Sequence, residues 1–222
     1  MSVNQGNSNE VNSNQDGVHD NLSEYLDKYS FENYGRPCAD FSRECWIEII
    51  DFIAESPVIF DLGCGVGESS FKLATINPDK KIVGIDRSLS RLDRNNHFKE
   101  ELPKNLFLIR GELLDLIPLI HKHQNGLNIV SIYLLYPNPY PKKHHIKKRF
   151  QGNPVAIFLF NIKTQLVFRS NWKLYLEEVQ YTCKYYARDS KLITLDADIE
   201  PFTPFERKFI NSNQKVYELL VH

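Results

Sequence analysis

No stretch of this 222-residue chain is apolar for long enough to cross a bilayer, and its opening residues lack the basic-then-apolar pattern of a secretory leader. The expectation is a cytoplasmic protein with no membrane partner. Its four cysteines, Cys38, Cys45, Cys64 and Cys183, have neither paired metal-ligand spacing nor a disulfide framework, which predicts reduced thiols and no metal site. Charge of one sign is lacking too. With 27 Lys and Arg against 28 Asp and Glu, the net charge of −1 gives no global attraction to nucleic acid, so any such affinity must come from a local cluster. The first twenty residues are poor in large apolar side chains and rich in Asn, Ser, Gln and Gly, which predicts a disordered tail over 1–20 and a single domain over 21–222. What remains is ordinary for a globular fold: 42% hydrophobic and 25% charged residues, enough for one substantial core.

The chain is organised around Pro57–Ser70, PVIFDLGCGVGESS. The apolar run Val58–Phe60 reads as a buried parallel strand, and Asp61 is followed by Gly63, Gly65 and Gly67 before a helical pattern begins. Such glycines let the chain turn tightly and let a ligand lie against bare backbone. A dinucleotide fingerprint would place a third glycine three residues after the second to seat a pyrophosphate, but Glu68 stands there. Carboxylates at Asp61, Glu68 and Asp86 suit instead a ligand with positive charge and free hydroxyls, and S-adenosylmethionine has both. A glycine-rich turn without a ligand is the plain alternative. Lys81–Asp86, KIVGID, argues against it: it reads as a second buried strand closing on an acid about 20 residues past the loop, the spacing that lets a carboxylate accept ribose hydroxyls. Leu106–Arg110 reads as a third strand, after which Glu112 is a candidate acceptor for an adenine amino group or, equally, a helix-capping acid.

Helices are expected over Phe41–Ile53, Glu68–Ile76, Ser88–Glu101, Leu113–His123 and Asn171–Arg188. Further strands are expected over Asn128–Tyr136, Gln165–Ser170, Lys191–Ala197 and Lys215–Val221. Asn21–Asp40 reads as irregular and Asp198–Arg207 as a loop. This alternation predicts an α/β fold with a doubly wound, mostly parallel sheet and ligands at the C-terminal strand ends. The loop after the fourth strand should then meet the second substrate. It reads YPNPYPKKHHIKKRF, Tyr136 to Phe150, in which three prolines fix the backbone and Lys142, Lys143, Lys147, Lys148 and Arg149 follow. A charge run is often only a solvated face, but at the rim of a cofactor cleft it suits phosphate contact.

In order and rough spacing, DLGCGVGE, VGIDRS, LIRGEL, YPNPYPKKHHIKKR and TPFERK resemble the tRNA (guanine-N7)-methyltransferase family. The resemblance runs from Pro57 to the C-terminus and implies a seven-stranded class I methyltransferase sheet with its last strand antiparallel, S-adenosylmethionine as cofactor and tRNA as substrate, bound through Lys142–Arg149. It implies cofactor contacts at Asp61, Gly63, Gly65, Gly67, Asp86, Glu112 and Asn138, with Asn138 also at the catalytic position. Substrate contacts are implied at Lys142, Ser170, Thr203 and Glu206. Thr203 and Glu206 also form the Thr-x-x-Glu pattern of a capping box. Three sites depart from the family: Asn138-Pro139-Tyr140 stands for its Asp-Pro-Trp, Arg169-Ser170-Asn171 for its Thr-Asp-Asn, and the stretch Gln151–Gln165 is shorter and lacks its Lys-Pro-Gly-Gly turn. The first is also similar to the Asn/Asp-Pro-Pro-aromatic loop of methyltransferases acting on exocyclic amines. A cofactor- and RNA-binding subunit with weakened turnover is the third expectation left open.

Overall fold

The computed structural model describes residues 11–94, 102–196 and 198–222. Strands β1 (Val58–Leu62), β2 (Lys81–Asp86), β3 (Leu106–Arg110), β4 (Ile129–Leu135), β5 (Gln165–Ser170), β6 (Ser190–Leu195) and β7 (Val216–Val221) form one sheet in the order β3-β2-β1-β4-β5-β7-β6. Neighbours pair in parallel except around β7, which runs antiparallel to both β5 and β6. The expected seven-stranded sheet with an antiparallel last strand is therefore present. Strand order reverses direction between β1 and β4, which opens a crevice at their C-terminal ends.

The helices α1 (Leu22–Asp27), α2 (Asp40–Ile53), α3 (Glu68–Ile76), α4 (Leu89–Leu92), α5 (Leu113–His123), α6 (Ala156–Leu159), α7 (Lys173–Tyr185) and α8 (Pro204–Asn211) surround it. Alternation along β1 splits the core. Val58, Phe60 and Leu62 join Ile49 and Ile53 of α2 and Ile117 and Ile120 of α5, while Ile59 joins Leu73 and Ala74 of α3 on the opposite face. Asp61 shares that second face. α5 contains Pro118, which cannot bond the carbonyl of Leu114. The Tyr34 hydroxyl donates to that oxygen at 2.6 Å and so completes the helix.

Two expectations needed correction. The segment read as irregular contains α1, and the loop expected over Asp198–Arg207 contains the start of α8, which Thr203 caps and Pro204 opens. Of the helix expected over Ser88–Glu101, Leu89–Leu92 is helical; residues 95–101 lie outside the described residues. The tail expectation divides likewise, since residues 1–10 are outside the described set while Gln15 and His19 are buried against the body of the protein.

Candidate active site

The glycine loop takes the backbone its residues permit. Gly63, Gly65 and Gly67 have φ of 84°, 62° and 84°, in the left-handed region, and a Cβ on Gly67 would come within 2.7 Å of Leu108 Cδ1. Asp61, on β1, is 1% exposed; its Oδ2 accepts from the hydroxyls of Ser69 at 2.5 Å and Ser70 at 2.6 Å, both on the first turn of α3. Gly84 on β2 makes room for this, because a Cβ there would sit 2.3 Å from Ser70 Oγ. The other oxygen, Oδ1, is buried with no partner among the described residues. Burial, partly offset by the two serines, pushes the Asp61 carboxyl up to about 6.

A raised folded-state value means that the folded protein holds a proton the unfolded chain releases near pH 4, so stability falls as pH rises from about 4 to about 6. Asp61→Asn removes this slope. Chemical denaturation at pH 4 and 7.5 is expected to show the variant gaining about 2 kcal/mol on the parent at the higher pH, without ligand.

Asp86, at the C-terminal end of β2, accepts from Gly65 N–H at 3.0 Å through Oδ2 and from Ser88 N–H at 2.8 Å through Oδ1. It therefore closes the glycine loop onto β2 while each oxygen keeps a lone pair for a hydroxyl. Glu112 is the N-cap of α5 and accepts from Leu114 N–H at 3.3 Å, so its capping role is built while it remains only partly buried. Glu68 is not free: it pairs with Arg207 of α8 and, at 3.7 Å, with Lys72. An apolar hollow of ≈ 420 Å³ is lined by Phe31, Tyr34, Pro118 and Phe158 among others, away from Asp61, Asp86 and the loop after β4.

That loop is held stiffly. Tyr136 and Tyr140, with φ of 52° and 43°, adopt a conformation that costs an L residue energy, and Asn138 between them is exposed with its Oδ1 accepting from Tyr140 N–H at 3.2 Å. The Asn138 amide nitrogen is left to donate. Lys142, Lys143, Lys147 and Lys148 are exposed, but Arg149 is not. Its guanidinium, 1% exposed, meets Glu178 of α7 at 2.6 Å, bonds the Tyr140 carbonyl at 3.0 Å and lies over the Trp172 ring. The expectation that Arg149 contacts RNA is corrected: a buried, paired guanidinium cannot reach a phosphate. Glu178 also accepts from Gln15 and Gln151. From the N-terminal side, Ser13 donates to the Pro141 carbonyl at 2.7 Å and Asp20 pairs with Lys143 at 2.5 Å. Residues 13–20 thus strap down both ends of the basic run.

Across the cleft, Ser170 is buried and accepts from Trp172 N–H at 3.0 Å. Thr203 Oγ1 accepts from Glu206 N–H at 3.0 Å, the capping bond. Glu206 is fully buried and takes Arg169 Nη1 at 3.0 Å and Phe202 N–H at 2.6 Å. Arg169 also bonds Glu218 at 2.7 Å. Through these bonds Glu206 ties α8 to β5. Asp61, Asp86 and Glu112 do stand at neighbouring strand ends, with the loop of Asn138 following β4.

A family model described as "Putative methyltransferase" matches residues 55–219. The chain belongs to this methyltransferase family. It is 27% identical over 209 residues to the tRNA (guanine-N(7)-)-methyltransferase of Bacillus cytotoxicus, covering 87% of this chain and 90% of that one. A protein of the same name from Francisella philomiragia is 26% identical over 209 residues, with 90% and 86% covered. A bifunctional methyltransferase of Rickettsia bellii is 29% identical over 135 residues, 60% of this chain, which spans only 24% of that relative. Among solved structures, an antibiotic-related methyltransferase has a TM-score of 0.57 at 16% identity, covering 84% of this chain and 96% of the other. For the 16S rRNA methyltransferase KamB the TM-score is 0.53 at 13% identity, with 84% and 94% covered. These two share the fold.

The cofactor of this methyltransferase is S-adenosylmethionine, and the residues present fit it. The unpartnered Asp61 Oδ1 offers a buried anion to a cation, the glycine loop offers bare backbone, and Asp86 offers two acceptors to a diol. Among the described residues no cluster of metal-ligating side chains is present, and no helix is long and apolar enough to cross a membrane.

Proposed function

We propose that this methyltransferase acts on tRNA and transfers the methyl group to guanine N7. The reading is carried by one juxtaposition: the acids at the C-terminal ends of β1 and β2 lie in the same sheet as β4, whose following loop presents four exposed lysines. The names of its relatives from Bacillus cytotoxicus and Francisella philomiragia support it. When bound, S-adenosylmethionine supplies an electrophilic methyl group on a sulfonium.

Guanine N7 carries an unprotonated lone pair, so no general base is needed. The protein's part is in-line placement and an environment that tolerates positive charge growing on the purine. Asp86 accepts the ribose hydroxyls, Asp61 balances cationic charge, and Glu112 faces the adenine end. Asn138, its oxygen held in the turn to Tyr140, donates through its amide nitrogen to the purine O6. An asparagine stabilises developing positive charge less than an aspartate would, and one such electrostatic contact is worth roughly ten- to a thousandfold in rate. Glu206 and Thr203 act by fixing α8, and Ser170 by holding the turn after β5.

The test is transfer from labelled S-adenosylmethionine to unmodified tRNA with the product nucleoside identified. Label on 7-methylguanosine is the expected result. Label on an exocyclic amine, or bound cofactor with no transfer, overturns it. By equilibrium binding across a salt series, Lys142→Glu, Lys147→Glu and Lys148→Glu together are expected to weaken tRNA binding and to reduce the salt slope by about 2–3 units, as three phosphate contacts are lost. An unchanged slope would mark these lysines as a solvated face.

A further inference from the structure

We propose that Phe205 on α8 is a stacking platform for a nucleobase of the RNA substrate, next to the base that is methylated. The proposal rests on the RNA reading above and adds a base-binding site to it. Phe205 is 54% exposed, although the helix that carries it is anchored through the fully buried Glu206 one residue on. Its ring stacks on Phe209 at 6.5 Å and 25°, and Phe209 meets Tyr136 at 5.6 Å. The three rings thus lead from solvent to the first residue of the loop bearing Asn138, two positions further along. α8 is fixed on the cleft side by Glu206 with Arg169 at the end of β5 and by Arg207 with Glu68 at the start of α3.

An exposed ring on a held helix offers a flat apolar face at little entropic cost, and every nucleobase has a matching π face. The occupant's charge is set by its neighbours. Lys208 is exposed three residues on from Phe205, on the same side of the helix, where it can meet the phosphate of a stacked nucleotide. An RNA segment whose bases are splayed out is the ligand with both features.

Binding of unmodified tRNA to the full chain is compared for Phe205→Ala, Phe205→Leu and Phe205→Trp, with S-adenosylmethionine affinity confirming intact folding. Alanine and leucine are expected to weaken binding roughly five- to a hundredfold with an unchanged salt slope, since stacking releases no counterions. Phe205→Trp should keep affinity, and its added indole fluorescence should be quenched by tRNA. If leucine binds like the parent, the ring is only an apolar patch and the platform is overturned. If the parent chain itself binds no RNA, the tRNA reading falls first and the platform with it, a result distinct from failure of Phe205 alone.

Discussion

Asp86→Ala is expected to lower S-adenosylmethionine affinity more than a hundredfold by titration calorimetry. Its carboxylate is 3% exposed at the end of β2, with one lone pair on each oxygen uncommitted by the bonds to Gly65 and Ser88. Two hydroxyl bonds to a charged acceptor are worth about 1.5–3 kcal/mol each, and every 1.4 kcal/mol is about tenfold in affinity. The substitution also frees two backbone N–H groups, so some loosening of the glycine loop accompanies the loss. Asp86→Asn separates the two effects: it keeps the side-chain shape and one acceptor but loses the charge. A cofactor affinity unchanged in both variants would remove Asp86 from the site.

Glu178→Ala should cost about 3–5 kcal/mol of stability, read as a shift of the urea midpoint, because it strands the fully buried Arg149 guanidinium. The loss exceeds that of a surface ion pair, worth about 0–1 kcal/mol, by several-fold. Arg149→Met with Glu178→Met is expected to recover much of it, since two apolar groups of similar volume replace a pair that was costly to desolvate. If the single variant loses less than about 1 kcal/mol, the pair is not buried as described.

These two sites mark how far the sequence could be read. Asp86 was legible because a βα unit imposes its spacing: a buried strand ends, the acid sits at the edge, and the preceding glycines leave one backbone path. The strand order followed from the same alternation. Arg149 was misread because position in a basic run says nothing about burial, which is set by Glu178, Gln15 and Trp172, all far away in sequence. Glu178 did leave a trace, as an acid among Leu174, Tyr175, Val179 and Thr182 on the buried face of α7. The Gln15 contact left none, because a polar tail carries no periodicity to read. The Thr-x-x-Glu pattern was legible as a cap, and the Thr203 side chain does accept from Glu206 N–H, whereas the pairing of the Glu206 carboxylate with Arg169, 37 residues away, left no local signal.

The strap over the basic run has a consequence for synthesis of the chain. The Gln15–Glu178 bond joins residues 163 apart, and the Arg149–Gln15 bond spans 134. At about 5–20 residues per second, Gln15 waits roughly 10–30 s for Glu178 to be made. Until α7 emerges, the lysine loop lacks its buried anchor and the strap lacks the Gln15–Glu178 bond. The loop after β4 thus gains its buried anchor only once residue 178 has been made, well after its own lysines.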